Sequence, residues 1–461
     1  MTTILRSCFL TLLLLAVAAR AFAEDGFQDL EKVAAAELAE TRTPGMALAL
    51  VRDGRVAFAK GLGVASIETG QPVTPDTLFH LGSVTKSLTA AALVTLAEQG
   101  KLRLDEPVGR WVEGLSPGLA KLTLHQLLSQ TSGLGDQPGE DGLHEETALA
   151  GFVLSRTDGD LLFPPGRVFS YSNLGYALAG LVLEKATGKP YADAMREILF
   201  EPLGMTRTTL RPLMAMTWPL AQGHEPAESG PSTVVRPLAD DTRIWPAGYA
   251  FTSLNDLSRF VLALLDGGRL DGRQVLPPGV AARMLAPVAD IPTNVFVRGR
   301  YGLGLFLHEG RGLRIALHAG TLPGYSAEFR LIPEKRSAMI VLANRSDDRM
   351  EKTFTCALDL LLPGVPIPAA EPRREVPMTA DEMKRYVGTY TNRWPMEIFI
   401  KDGRLFLRRF GAELPITKIG ENRFSIKPEE APQPQEFALL PGADGRPEAL
   451  QMFIWAFKRT G

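Results

Sequence analysis

A cluster of prolines near the end of this chain predicts that it folds in two separately packed parts. Pro363, Pro366, Pro368, Pro372 and Pro377 fall within 15 residues. Because proline lacks a backbone N–H and has a fixed φ, neither a regular helix nor a central strand can pass through such a segment. We therefore predict a linker at 363–378, between a large domain at 24–362 and a small one at 379–461.

The first 23 residues have the pattern of a cleavable secretory signal. Arg6 supplies a positive charge, residues 8–19 are apolar, and Ala21-Phe22-Ala23 forms a small-x-small cleavage site. The apolar run is too short to span a membrane. We expect a secreted or periplasmic protein without a stable membrane anchor. The mature chain would keep one cysteine, Cys356, and so no internal disulfide.

Charge and composition narrow the classes of function. The net charge is −2 and no basic block occurs, which argues against nucleic-acid binding. The histidines contain no His-Glu-x-x-His pair, so we reject a zinc hydrolase and expect no metal or other cofactor. The expected partner is a small-molecule or peptide substrate, and the oligomeric state is left open.

Apolar periodicity predicts different folds on the two sides of the linker. Alternating apolar residues flank Asp53-Gly54 and predict a hairpin over 46–62. Helical spacing predicts a helix from Ser83 to Gln99, and short strands are expected between 301 and 344. After the linker, six short strands predict a small antiparallel β domain. One of them is expected to run unbroken over 449–458.

The pair Ser83 and Lys86 is the first candidate for chemistry. A helix places residues i and i+3 on one face, so the amine of Lys86 can reach the hydroxyl of Ser83. An unprotonated amine there could accept the serine proton and create a nucleophile. Chance alone predicts roughly 0.5 such pairs in a chain of this composition. A solvated serine and lysine are therefore the alternative, and the pair needs support from elsewhere.

Tyr-x-Asn occurs twice, and its surroundings favour the first copy. Tyr171 and Asn173 follow a loop rich in proline and glycine and precede an apolar helix. Such a junction can direct a side chain into a cleft, whereas Tyr390 lies in a strand of the β domain and is expected only to pack. For Asn173, the alternative is a simple N-cap of the following helix.

His-x-Gly occurs three times, and its surroundings favour the third copy. His318 and Gly320 lie at the end of a strand, before Thr321 and further glycine. Backbone N–H groups can approach a substrate closely at such a place. His308 lies in a hairpin turn, and His80 is too close to Ser83 to be an independent element.

Together, these motifs carry a specific resemblance. In this order and at wide spacing, they resemble the motif set of the class C β-lactamase and D-alanyl-D-alanine carboxypeptidase family over about residues 30–345. The motifs are Ser83-Val84-Thr85-Lys86, Tyr171-Ser172-Asn173 and His318-Ala319-Gly320. The resemblance implies an α/β fold, with an antiparallel sheet flanked by helices plus a helical region. The C-terminal part resembles the lipocalin-like β-barrel domain that follows some members.

The resemblance also implies roles for single residues. Ser83 would be acylated, Lys86 would activate it, and Tyr171 would pass the proton to the leaving group. Asn173 would bind the substrate amide or hold Lys86. The backbone N–H groups of Ser83 and Thr321 would form the oxyanion hole, beside His318 and Gly320.

One departure from the family pattern bears on the substrate. Many members carry lysine followed by serine or threonine where this chain has His318 and Ala319. A mostly neutral imidazole and a methyl group are poorer partners for a substrate carboxylate. This favours esters or D-amino-acid peptides over β-lactams.

A penicillin- or peptide-binding protein without turnover is the alternative function. Trp218 and Trp245 are expected either to line the pocket or to pack.

Overall fold

The computed structural model describes residues 26–136, 142–227, 230–293, 299–346, 350–366, 374–429, 431 and 433–461. The predicted secretory signal at 1–23 lies outside the described residues, and so does the middle of the predicted linker, 367–373.

An antiparallel sheet of eight strands is the framework of the larger part of the chain. In sequence order its strands are β1 (Gly45–Arg52), β2 (Arg55–Gly63), β3 (Ala289–Ile291), β4 (Gly299–Tyr301), β5 (Phe306–Gly310), β6 (Leu313–Leu322), β7 (Tyr325–Ile332) and β8 (Ser337–Ala343). Their spatial order is β2-β1-β8-β7-β6-β5-β4-β3. The predicted first hairpin is present, and Asp53 and Gly54 both have positive φ in its turn.

Most helices come between β2 and β3. The helices of the described chain are α1 (26–41), α2 (Thr85–Glu98), α3 (Pro117–Ala120), α4 (Leu124–Leu128), α5 (Ala148–Leu154), α6 (Asn173–Thr187), α7 (Tyr191–Met195), α8 (Glu201–Leu203), α9 (Pro212–Ala215), α10 (Trp245–Gly248), α11 (Leu254–Leu265), α12 (Gly279–Met284), α13 (Glu351–Leu361) and α14 (Ala380–Tyr386). Short two-stranded pairs connect some of them: Leu78–His80 with Phe251–Ser253, His224–Glu225 with Thr233–Val234, and Arg269–Leu270 with Arg273–Gln274. No helix in the described part of the chain is long and apolar enough to cross a membrane.

Both faces of the eight-stranded sheet are covered. Successive side chains of a strand point to opposite faces, and β1 is apolar on both. Met46, Leu48 and Leu50 lie on one face and pack under α1 and α13, together with Phe354. Ala49 faces the other core, which contains Leu88 of α2, Leu178 of α6 and residues of α11. The sheet is therefore the middle layer of three, and α2 is buried against it.

The C-terminal part forms a nearly closed antiparallel sheet of nine strands. They are β9 (Gly388–Thr391), β10 (Pro395–Lys401), β11 (Arg404–Arg409), β12 (Ala412–Pro415), β13 (Thr417–Gly420), β14 (Arg423–Ile426), β15 (Gln435–Pro441), β16 (Pro447–Met452) and β17 (Trp455–Arg459). Its interior is filled by side chains that include Tyr390, Phe424 and Phe437. The expected β domain is thus confirmed as a fold, with more strands than the sequence predicted.

One of the six predicted strands is wrong. Residues 449–458 do not form one strand, because they fold back as a hairpin of β16 and β17. The turn contains neither glycine nor proline, and Phe453 adopts a φ of 56° there. An apolar run without turn residues gives no sign of such a reversal. The hairpin matters because its turn lies against the larger part of the molecule.

The barrel and the larger part are joined by hydrogen bonds along residues 169–171. The backbone N–H of Tyr171 donates to the carbonyl of Ile454 over 2.8 Å, and Gln451 donates its side-chain amide to Phe169 over 2.9 Å. The backbone N–H of Ala456 donates to the hydroxyl of Ser170. The strand pair β16–β17 therefore holds the loop that carries the chosen Tyr-x-Asn motif.

A buried carboxylate links the first helix to the last helix of the larger part. Glu37 of α1 is 5% exposed and accepts hydrogen bonds from the backbone N–H groups of Lys352 and Thr353 and from the Thr353 hydroxyl, at 2.6–2.8 Å. Met350, the N-cap of α13, supplies no side-chain cap. Glu37 therefore satisfies the free N–H groups at the start of α13 from another helix.

We predict that Glu37→Ala lowers the free energy of unfolding by about 1–3 kcal/mol, because buried donors of α13 lose their acceptor. The measurement is urea unfolding followed by circular dichroism. Glu40→Ala is the matched control on the same helix, since Glu40 is 61% exposed and pairs with Lys352 at the surface. Its effect should stay below about 0.5 kcal/mol. Equal losses in both variants would contradict the capping role of Glu37.

Candidate active site

Ser83 and Lys86 meet at the start of α2. Ser83 lies in a short 3₁₀ turn, Gly82–Val84, that leads directly into the helix. The side-chain nitrogen Nζ of Lys86 is 3.2 Å from the Ser83 Oγ. The spacing of the two residues therefore brings their side chains together, as the sequence predicted.

Lys86 is completely buried and surrounded by oxygen atoms and aromatic rings. Its Nζ is 2.7 Å from the Asn173 Oδ1 and 2.6 Å from the carbonyl oxygen of Ala247 in α10. The rings of Tyr171 and Tyr176 lie 4.6 and 5.6 Å away. Burial lowers the pKa of Lys86 to about 7, because the charged ammonium loses its water, although the nearby Asp136 carboxylate opposes this shift.

Tyr171 and Asn173 come from the loop that the barrel holds and from the first turn of α6. The N-cap of α6 is Ser172, whose hydroxyl accepts from the backbone N–H of Gly175. Asn173 is therefore free of the capping role and directs its side chain to Lys86. Burial raises the pKa of Tyr171 well above its ordinary value, and a hydrogen bond with Ser83 opposes the shift. The phenol thus stays protonated at neutral pH.

Strand β6 passes very close to Ser83 at Gly320. A Cβ atom built on Gly320 would lie 2.1 Å from the carbonyl oxygen of Leu81 and 2.5 Å from the backbone nitrogen of Ser83. A Cβ on Gly82 would lie 2.5 Å from the backbone nitrogen of Thr321. Only glycine at both positions lets the two backbones approach, and the backbone nitrogens of Ser83 and Thr321 both lie at this approach.

His318 is buried beside these groups and is neutral. Its ring contacts the Tyr301 hydroxyl over 3.2 Å and the carbonyl oxygen of Ala319 over 2.7 Å. Burial lowers the pKa of His318 to about 3, and the nearby Lys86 adds to the shift. His318 therefore brings no positive charge to the site at neutral pH.

These groups open onto a pocket of about 360 Å³ that the barrel helps to enclose. Ser83, Tyr171, Asn173, His318, Gly320 and Thr321 all line it, and Lys86 lies beneath them. Ile454, Trp455 and Arg393 line it from the barrel side, and Asp136 lies between the two parts. The structure thus gathers every residue that the sequence analysis selected for the site.

The pocket residues that the sequence analysis did not select include Asp136 and three residues of the barrel. Asp136 lies between the Ser83 and Tyr171 motifs, and nothing in its local sequence marks it. Arg393, Ile454 and Trp455 all lie in the C-terminal part, well after the last of the three motifs, and nothing local marks them. The rejected motif copy at Tyr390 packs inside the barrel.

Neither of the two tryptophans considered for the pocket lines it. Trp245 is buried and donates its indole N–H to Asp240, and Trp218 is 40% exposed and contacts Arg207. The alternative for Asn173, an N-cap, is wrong because Ser172 has that place.

We predict that Gly320→Ala destabilises the fold by about 1–3 kcal/mol, because the added methyl group would meet backbone atoms that cannot rotate away. Thermal unfolding measures this. Gly151→Ala in α5 is the matched control, since a Cβ there would meet no atom within 4 Å. That variant should be neutral or gain up to about 1 kcal/mol from better helix propensity. If Gly320→Ala unfolded at the same temperature as Gly151→Ala, the close approach at Gly320 would be refuted.

Comparisons with known proteins show the family and the fold. The family model described as Beta-lactamase matches residues 30–360. Penicillin-binding protein 4 of Amycolatopsis lactamdurans is 32% identical over 348 residues, which cover 72% of this chain and 91% of that protein. The crystal structure of SurE has a TM-score of 0.80 at 28% identity and covers 95% of this chain and 100% of that one. A second structure, of SurE with D-Leu, has a TM-score of 0.77 at the same identity and coverage.

A further solved structure shows the fold alone. The octameric penicillin-binding protein homologue from Pyrococcus abyssi has a TM-score of 0.66 at 24% identity, and it covers 94% of this chain and 99% of that one.

Proposed function

The chain belongs to the β-lactamase family of serine hydrolases, and on that premise we propose that it hydrolyses its substrate through an acyl-enzyme formed on Ser83. The observation that carries this proposal is the short contact between Lys86 and Ser83 in a site where the lysine pKa is about 7. A substantial part of Lys86 is therefore neutral at neutral pH and able to accept a proton.

The oxygen atoms around Lys86 fix the direction of the Ser83 hydrogen bond. A neutral amine has two N–H donors and one lone pair. The Ala247 carbonyl and the Asn173 Oδ1 can only accept, so they take the two N–H groups. The lone pair is then left for the Ser83 hydroxyl, which donates to it. This arrangement prepares the serine proton for transfer to Lys86.

The reaction proposed for this geometry has two stages. Ser83 Oγ attacks the substrate carbonyl as its proton passes to Lys86, and the carbonyl oxygen takes up negative charge. The bond to the leaving group then breaks, and the leaving group receives a proton through the protonated phenol of Tyr171. Water attacks the ester on Ser83 in the second stage, gives up its proton by the reverse route and releases the acid and free Ser83.

The close approach at Gly320 supports an oxyanion hole formed by the backbone N–H groups of Ser83 and Thr321. Such donors act strongly because they are fixed before the charge develops. Asn173 holds Lys86 in this scheme and faces the pocket as well, so it is placed to contact a substrate amide.

For the substrate, we propose esters or D-amino-acid peptides ahead of β-lactams. The neutral His318 and the methyl group of Ala319 offer little to the carboxylate that β-lactams carry. The likeness to SurE, one structure of which contains D-Leu, supports a D-amino-acid group at the reacting centre. Export through the signal at 1–23 and the division at 363–378 are further parts of this proposal.

The pH dependence of catalysis should report Lys86. The neutral amine is the active form, so kcat/KM should rise with pH and level off above a pKa of about 7. Lys86→Met should lower kcat/KM by about 10²–10⁴-fold and abolish this rise. Lys121→Met, at an exposed lysine, is the control. A wild-type profile that is flat between pH 5 and 9 would contradict the assignment of Lys86 as base.

A substrate panel tests the proposed specificity and the alternative of binding without turnover. We expect hydrolysis of short-chain nitrophenyl esters and D-amino-acid peptides, with a chromogenic cephalosporin the slowest, and no turnover by Ser83→Ala. Intact-mass measurement after ester or penicillin should show only a transient adduct. A stable adduct without product would instead support a non-turnover binding protein. Turnover that persists in Ser83→Ala would refute the acyl-enzyme on this residue.

A further inference from the structure

A buried carboxylate connects the barrel to the catalytic centre. Asp136 has a side chain only 1% exposed, and its two oxygens have different partners. Its Oδ1 accepts from the backbone N–H of Asn173 over 3.0 Å. Its Oδ2 accepts from the indole N–H of Trp455 over 3.0 Å and lies 3.3 Å from the guanidinium of Arg393. The larger part thus contacts one oxygen of this carboxylate, and the barrel contacts the other.

The barrel also fixes Asp136 through its backbone. The backbone N–H of Asp136 donates to the Asn392 Oδ1 over 3.3 Å, and the Asn392 amide donates to the carbonyl of Ala456 over 2.8 Å. The guanidinium of Arg393 lies 4.9 Å from the centre of the Trp455 ring, so the two barrel partners of Asp136 also contact each other. Burial raises the pKa of Asp136, and its contacts with Asn173, Arg393 and Trp455 oppose this shift, since they favour the ionised carboxylate.

From Asp136 the contacts continue to the proposed base. Asp136 accepts a hydrogen bond from the backbone N–H of Asn173, and the side-chain oxygen of Asn173 lies 2.7 Å from the Lys86 Nζ. The carboxylate also acts on Lys86 through charge, since it favours the ammonium form. A carboxylate so near, without a cation beside it, would therefore raise the lysine pKa and leave less of the amine unprotonated at neutral pH. The cation of Arg393 offsets that charge.

We propose that Arg393 and Trp455 of the barrel are positioning residues for catalysis, which act through Asp136 on Asn173 and Lys86. This inference rests on the proposed function of Ser83 and Lys86. It assigns the C-terminal barrel a part in the chemistry of the larger domain: the barrel balances the Asp136 charge and fixes the start of α6.

The tyrosines and the histidine that face the same centre do not carry charge at neutral pH. Tyr171 from the loop, Tyr176 from α6 and Tyr301 from β4 all have pKa values raised by burial, and His318 from β6 is neutral. Glu328 of β7 also lines the pocket and is paired with Arg330. After burial, Asp136 is the charged group that acts on the lysine pKa, and Arg393 in turn acts on Asp136.

Opposite shifts in the pH profile test the charge balance. Arg393→Gln should move the rise of kcat/KM to higher pH by about half a unit to one unit, because the Asp136 charge is no longer offset. Asp136→Asn should move it to lower pH, because the charge that favours the ammonium is gone. The substrate is a nitrophenyl ester. Arg408→Gln is the matched control, since Arg408 pairs with Glu397 and Glu413 on the outer surface of the barrel.

A pair of tryptophan variants tests the positioning contact without removing a ring. Trp455→Phe deletes an indole N–H that donates to Asp136 and should lower kcat by about tenfold. Trp394→Phe deletes a neighbouring buried indole N–H that has no hydrogen-bond partner among the described residues, and should leave kcat unchanged. Thermal unfolding of each variant shows whether it remains folded.

The outcomes separate this inference from the proposed function. Loss of turnover in Ser83→Ala would support the proposed function. The inference alone would be overturned if Arg393→Gln and Asp136→Asn then left the pH profile unchanged and Trp455→Phe had the same kcat as Trp394→Phe. If the wild type shows no turnover, the rate at which a fluorophosphonate modifies Ser83 gives the same comparison. This rate is measured by intact-mass spectrometry at several pH values. Shifts in opposite directions, with a loss confined to Trp455→Phe, would support it.

Discussion

The burial of one amine sets the conditions for the whole site. Lys86 has no exposed surface, so its ammonium form loses hydration that no single neighbour can replace. Oxygen atoms at short distance and two tyrosine rings surround the amine and partly replace its hydration, but the pKa of Lys86 still falls to about 7. A lysine at the surface would keep its proton at this pH and could not act as a base. The three-layer packing around α2 is therefore what makes the short contact with Ser83 chemically useful.

Local sequence was enough to find the groups whose geometry is local. Helical spacing places Lys86 one turn after Ser83, and a loop followed by an apolar helix places Asn173 at the start of α6. Context chose His318 over His308 because backbone N–H groups at a strand end before glycine can approach a substrate. The expected place of His308 in a hairpin turn was wrong, since it lies within β5. The close approach at Gly320 was expected only in outline, since the distance between β6 and Ser83 depends on how the sheet packs on α2.

What sequence could not supply depends on contacts between distant segments. Asp136 has an ordinary sequence context, and the barrel residues Trp455 and Arg393 contact it only in the folded chain. Trp455 was assigned to the middle of a strand, but it follows a turn at Phe453 that no glycine or proline marks. Positive φ at a bulky residue is costly, and tertiary contacts must maintain it. That turn places the Ile454 carbonyl against the N–H of Tyr171.

The hydrogen bonds across this boundary bear on how the two parts work together. A barrel that served only as an attached module would need few contacts with the loop beside Ser83. Here the barrel accepts a hydrogen bond from the backbone N–H of Tyr171 and donates hydrogen bonds to the carbonyl of Phe169 and to one oxygen of Asp136. Each is a polar group that loses water at this boundary and finds a partner in the barrel; a group buried there without a partner would cost about 1–3 kcal/mol. The loop that carries Tyr171 is thus shared between the two parts, and the conformation of the catalytic centre depends on both.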